Sequence, residues 1–217
     1  MTPTTIGATR RADPHPLLRL LLEAADGRFP PVDGEVTVLP GLGRGLSCSV
    51  AFTGHAVVAT DLSEAEVRAH GPNGFGGSMT PDFLRWLAGP THVIGEVDVM
   101  LMAPGTGGEP KLTHRQDVGQ HSRVRYAHAV RSRVEVFGDE RGFVTLADGL
   151  AGRRELSIEL DRPGAGSGRA LLIDALSLVP AGTPVFAAVS PGNARSLRAF
   201  LAAGFTPLGS ESLIRPA

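Results

Sequence analysis

The sequence predicts an α+β protein: a mixed, mostly antiparallel central sheet flanked by helices, with an N-terminal α/β extension. Three observations carry this. Runs of alternating apolar and polar residues recur, and two pairs of them, Leu46–Phe52 with His55–Thr60 and Val134–Phe137 with Gly142–Ala147, are joined by short turn sequences, as in antiparallel hairpins. From Arg153 onward the order becomes strand, glycine turn, helix, strand, helix, strand. The 217 residues, 42% of them hydrophobic, suffice for one large domain or two small ones.

Residues 1–12 are small and polar and read as a loose tail. A helix over 14–26 comes next, with Asp13 as cap, Pro14 in the first turn and Gly27 at its end. Its apolar run, Leu17–Leu22, is broken by Arg19 and too short to cross a bilayer, and the chain start does not read as a signal peptide. After a rigid FPPVDG loop, Glu35–Leu39 alternates like a strand, and the first hairpin turns at Thr53-Gly54. Ser63 caps a short helix, Gly71–Ser78 is a glycine-rich loop, and Thr80-Pro81 opens a second short helix stopped by Gly89-Pro90. Thr91–Met102 is a strand with a bend at Gly95, and Pro104–Pro110 is the most linker-like stretch. SRVRYAHAVRSR is a basic helix, and the second hairpin turns at Gly138–Arg141. Arg153–Leu160 is a central strand with Leu156, Ile158 and Leu160 on one face and Glu155, Ser157 and Glu159 on the other. A helix from Ser167 to Val179, a strand over 184–189, a helix over 193–203 and a strand to about Ile214 complete the chain.

Composition narrows the functional classes. A net charge of −1 gives no electrostatic case for nucleic acid or an anionic membrane. Arginine outnumbers lysine 20 to 1, and the arginines are spread along the chain, which reads as compositional bias. The single cysteine, Cys48, excludes an internal disulfide and suits a reducing cytosol, so a cytoplasmic location is expected. It lies in an alternating strand and reads as a buried structural thiol before a nucleophile. The seven histidines form no HxxxH, HxH or HExxH pattern; isolated surface or capping roles are expected, and no metal site.

The stretch Asp161–Arg169, DRPGAGSGR, concentrates the chemistry. Glycines bring backbone N–H groups close to a ligand, and a helix N-terminus favours anions. A Gly-rich turn is also how many α/β proteins simply turn a corner. A dinucleotide fingerprint would need GxGxxG with an acidic residue some 20 positions on, and a P-loop would need GK[ST]; neither is present. Taken with the strand, the asparagine-led helix and the final strand behind it, the glycine loop resembles the GNAT superfamily of acyl-CoA N-acyltransferases. There an R/Q-x-x-G-x-G/A loop binds the CoA pyrophosphate, and a later N-x-x-[AS]-x-x-x-[YF]-x-x-x-G-F helix crosses the cofactor. Asn193, Ser196, Phe200, Gly204 and Phe205 match the second pattern position by position, and the resemblance covers about residues 122–217.

The resemblance implies transfer of an acetyl group from acetyl-CoA to an amine. It assigns the pyrophosphate to the backbone of Gly164, Gly166, Ser167, Gly168 and Arg169. The family's leading R/Q falls on Pro163, with Arg162 beside it as a substitute. Ile158 and Leu160 lie where the strand backbone pairs with pantetheine, and Asn193 and Ser196 contact the cofactor from the helix, Asn193 also as a cap. Many members use a tyrosine at the position of Phe200 as general acid; phenylalanine has no proton to give. Ser190 or a water is the substitute, and the only tyrosine, Tyr126, lies some 70 residues earlier. For the base, Glu155 leads Glu159: a carboxylate on a half-buried sheet face tends towards a raised pKa, the alternative being a solvated or Arg-paired glutamate. Asp139 and Glu140 read as exposed hairpin-tip residues. Phe83 and Trp86 read as core, or else as the border of an acceptor pocket with the Gly71–Ser78 loop as a lid. Residues 1–110 are expected to complete the sheet and acceptor side, and 111–217 to form the acyl-CoA-binding core. Expected partners are a small-molecule or peptide amine, no nucleic acid and no membrane, with a homodimer left open. The rival expectation is a catalytically weak GNAT-derived CoA-binding or regulatory module.

Overall fold

The computed structural model describes residues 13–162, 164 and 166–217; the expected tail and Pro163 lie outside them. The fold is mixed α+β, with one large, mostly antiparallel sheet flanked by helices. Strands β1 (Val36–Leu39), β2 (Ser47–Phe52), β3 (His55–Ala59), β4 (His92–Ile94), β5 (Asp98–Pro104), β6 (Thr113–His114), β7 (Ser132–Asp139), β8 (Gly142–Asp148), β9 (Arg154–Leu160), β10 (Pro184–Val189) and β11 (Thr206–Pro216) form it. Their order is β1-β3-β2-β11-β5-β10-β9-β8-β7-β6, with β4 also paired to β11. Only β1 with β3 and β9 with β10 run parallel among the described residues. Strand β5 sits between β10 and β11, so an N-terminal segment occupies the middle of a sheet whose neighbouring strands are C-terminal.

Alternation along each strand sets the layers. Met100 and Phe186 point to the side covered by α1 (Pro16–Ala25), whose Leu17 and Leu21 are fully buried there. Leu101, Val185 and Ala187 point to the other side, against Leu171, Leu172 and Ala175 of α5 (Ser167–Leu176) and Phe200 of α6 (Ala194–Ala202). On that same side Val36, Ala56 and Val58 pack against Val67 of α2 (Glu64–Ala69) and Phe83 and Leu87 of α3 (Pro81–Ala88). Each of the valine, leucine, methionine and phenylalanine side chains contributes about 1.5–3 kcal/mol when fully buried.

Several element boundaries differ from expectation for local reasons. Helix α1 begins at Pro16 and is capped by His15, whose Nδ1 accepts from the Leu17 N–H at 3.1 Å, rather than by Asp13. His121 caps α4 (Ser122–Val130) in the same way through Arg123 N–H, at 3.2 Å. Ser63 and Glu66 form a full capping box on α2. The expected bend at Gly95 is a break: the Gly95 N–H is held by Leu213 O at 2.7 Å, and β5 starts afresh at Asp98. The linker-like Pro104–Pro110 is fastened to the α5–β10 turn, with Gly105, Thr106 and Gly107 N–H groups bonded to Thr183, Leu176 and Val179 carbonyls.

Candidate functional site

Strands β9 and β10 are registered only at Glu155 and Phe186, near their starts. Beyond this point each keeps its outer partner, β9 with β8 and β10 with β5, but they part from one another. The parting leaves a gap at the level of Ile158 and Leu160. Helix α5 begins at its mouth. Gly166 is the cap in the left-handed conformation (φ +78°), which a glycine adopts without strain. Gly164, Gly166, Ser167, Gly168 and Arg169 line a cavity of about 570 Å³ with Arg195 and Arg198 of α6. It continues through Leu160, Gly168, Arg195 and Ala199 into a smaller one of about 210 Å³, lined also by Ile158, Asn193 and Ser196. Asn193 caps α6, accepting from the Ser196 N–H at 3.2 Å, and Ser167 Oγ donates to Gly164 O at 2.7 Å. The sequence therefore places its glycine loop and its asparagine helix on the two walls of one groove. Arg162 is exposed and lines neither cavity.

Arg123 of α4 lines the inner end of this groove and is paired to Glu159 at 2.8 Å. The same residue lines a third cavity, of about 550 Å³, on the α1 side of the sheet. Tyr126 and Val130, on the same face of α4, border it, as do Glu96, from the break between β4 and β5, and Asp98, which opens β5. On its floor lies a buried charge network. Arg153 donates both terminal nitrogens to Glu211, at 2.6 and 2.7 Å, and reaches Glu155 Oε2 from Nε and Nη2 at 3.2 and 3.1 Å. Arg131 pairs with the other Glu155 oxygen, and the Arg153 guanidinium lies 5.1 Å over the Phe186 ring.

Glu155 is thus not the half-solvated carboxylate expected. Burial alone would push it up, but Arg131 and Arg153 outweigh burial and hold it below the ordinary carboxylate range. Its shift runs opposite to the one expected of a base. Asp98 differs: it has no ion-pair partner among the described residues, and burial followed by the nearby charges of Glu211, Glu96 and Glu155 pushes it up to about 6. Burial likewise raises the Tyr126 phenol, which stays protonated at neutral pH.

The remaining sequence candidates fall elsewhere. Ser190 follows β10 and its carbonyl accepts from the Asn193 N–H at 2.9 Å, and it lines none of these cavities. Phe200 is buried edge-on against Phe205, with centroids 4.9 Å apart, and lines neither part of the groove. Cys48 is fully buried, and burial first, then Glu211, pushes its thiol up to about 12, which leaves it unreactive. Phe83 and Trp86 pack under the first strands, and the Gly71–Ser78 loop borders none of the three cavities. No described helix is long and apolar enough to cross a membrane.

Two solved structures of GNAT-family proteins resemble this chain. One is an acetyltransferase from Colwellia psychrerythraea, 11% identical, with a TM-score of 0.35 over 58% of this chain and 58% of that one. The other, from Novosphingobium aromaticivorans, is 14% identical, with a TM-score of 0.35 over 59% of this chain and 69% of that one. The chain thus spans less than two thirds of the Colwellia protein. No family model matches the chain, and no curated protein matches it.

Proposed function

We propose that this protein is a GNAT-like N-acyltransferase that passes an acetyl group from acetyl-CoA to an amine. The observation that carries this reading is the junction at Arg123, where an arginine-lined groove between β9 and the N-terminal turns of α5 and α6 meets a carboxylate-bearing cavity on the far side of the sheet. Such a groove suits a long polyanionic donor. The main chain of Gly164, Gly166, Ser167, Gly168 and Arg169 and the side chains of Arg169, Arg195 and Arg198 hold its phosphates. The open edge of β9 at Ile158 and Leu160 pairs with the amides of its arm, while Asn193 and Ser196 close over it from α6. Asp98 takes the role expected of Glu155. It removes the proton from the attacking amine as the new C–N bond forms, and Tyr126 protonates sulfur as the C–S bond breaks. Glu155 and Arg153 hold the floor of the cavity in place.

Thiol release from acetyl-CoA over a panel of amines tests the reading; no thiol release with any of the amines, together with no acetyl-CoA binding, would sink it. Asp98→Asn should lower turnover by roughly 10²-fold with cofactor affinity unchanged. Because the Asp98 carboxyl is raised to about 6, its basic form is lost as pH falls through that value. The wild-type rate should therefore drop below about pH 6, and the variant should lack this limb. A variant rate near wild type would move the base elsewhere without touching the cofactor assignment.

A further inference from the structure

A second reactive constellation lies on the N-terminal strands, separate from the groove and the cavity beyond it. His55 opens β3 and is 7% exposed. Its Nδ1 is 2.8 Å from Asp33 Oδ1, and its Nε2 is 2.9 Å from Thr37 Oγ1. An ionised carboxylate can only accept, so Nδ1 carries the proton. In the neutral ring Nε2 is then a lone pair, and the Thr37 hydroxyl donates to it. Asp33 Oδ1 is fixed in turn by the Glu35 N–H at 2.9 Å, and the bond to His55 holds the Asp33 carboxyl below its ordinary range. The parallel register of β1 with β3, Thr37 opposite Val57, brings hydroxyl and imidazole to the same face.

The hydroxyl is not sealed in. Thr37 and His55 line a cavity of about 520 Å³ between α1 and the Phe29–Pro31 loop. Leu20, Leu39 and Phe29 give it apolar walls, and Arg19, Glu23 and Arg28 line it with charge, Arg28 being paired to Asp26 at 3.0 Å. A hydroxyl, an imidazole in the tautomer that can take its proton, and a carboxylate that fixes that tautomer are the three parts of a nucleophilic triad.

We propose that Asp33, His55 and Thr37 form a second catalytic site, one that hydrolyses small acyl esters. Thr37 Oγ attacks the ester carbonyl and gives its proton to His55 Nε2. The C–O bond to the alcohol breaks, and the alcohol leaves with that proton. Water then attacks the acyl-threonine, His55 takes a proton from it and returns one to Thr37, and the carboxylic acid departs. No oxidant or metal is consumed. Arg19 is the cation available to the developing oxyanion, since Arg28 is paired to Asp26.

The test uses the full-length chain with p-nitrophenyl acetate, reading nitrophenolate release and, by mass spectrometry of the quenched protein, the position of any acetyl adduct. The wild type should hydrolyse the ester and carry the adduct on the peptide containing Thr37. Thr37→Val, which keeps shape and removes the hydroxyl, and His55→Ala should each lose roughly 10²-fold or more. Thr37→Ser should restore activity. An adduct that maps elsewhere, or a wild-type rate unchanged in a folded Thr37→Val, would overturn the proposal. If Thr37→Val does not fold, the adduct position in the wild type and in Thr37→Ser decides alone.

Discussion

The groove at β9 and β10 and the cavity on the opposite side of the sheet are built by opposite means. Apart from Arg123, the groove comes from one stretch of chain, Ile158 to Ala202, and its lining is rich in glycine main chain and exposed arginines. The cavity draws on residues from His15 to Leu213, and its floor is a set of buried side-chain charges that neutralise one another. A surface that recognises an anion with exposed cations can lose one of them and still stand. A buried network cannot, because each guanidinium removed strands the carboxylates it served.

That contrast can be broken in three ways. The harshest is to separate the two constructions. A fragment of 111–217 keeps every residue that lines the groove yet lacks β5, leaving the inner edges of β10 and β11 unpaired. It should show no cooperative thermal transition and bind no acetyl-CoA; a folded, binding fragment would show the groove to be self-sufficient. Next, Arg153→Met should cost about 3–5 kcal/mol in chemical denaturation by leaving Glu155 and Glu211 buried without their shared cation. The penalty should shrink as pH falls, since stranded carboxylates bind protons more tightly in the folded state than unfolded. Arg198→Ala, at an exposed groove position, should stay within about 0.5 kcal/mol; equal costs for the two would erase the distinction. The mildest is Gly168→Asp. A Cβ there would lie 3.3 Å from Leu160 Cδ1 and 3.5 Å from Ala199 Cβ, both on the groove wall. Acetyl-CoA affinity measured by calorimetry should fall at least tenfold, about 1.4 kcal/mol, in a folded protein.

The same contrast explains what the sequence could disclose. The glycine loop and the capping asparagine are local features, readable from spacing, and they come together in one groove with the end of β9. The cavity is non-local. Asp98 gives no sign in the sequence, because a bend at Gly95 within one strand and a break between two strands share one apolar pattern, and only the break re-aims the residues just after it. Tyr126 is conspicuous as the lone tyrosine, but its distance along the chain from Phe200 says nothing of its distance in space. Arg123, Tyr126 and Val130 fall on one helical face, and that spacing is the available clue. For Glu155 the signal is two residues upstream: Arg153 and Glu155 lie two apart, and residues so spaced on a strand share a face, which favours the Arg-paired glutamate over the free base. Of the Asp33–His55–Thr37 set, only His55 stands out in the sequence, and only as a remote histidine. Parallel pairing of β1 with β3 cannot be read from either strand alone.

The position of β5 also governs how the chain must assemble. Its two neighbours are β10, residues 184–189, and β11, residues 206–216, so during synthesis β5 waits for nearly the whole remaining chain before either edge is satisfied. Contacts of that sequence separation carry a loop-closure cost before they return any stabilisation, and they slow folding. Until then an apolar strand, VMLMA, stands with both edges open, and the sheet closes only when its last strand arrives.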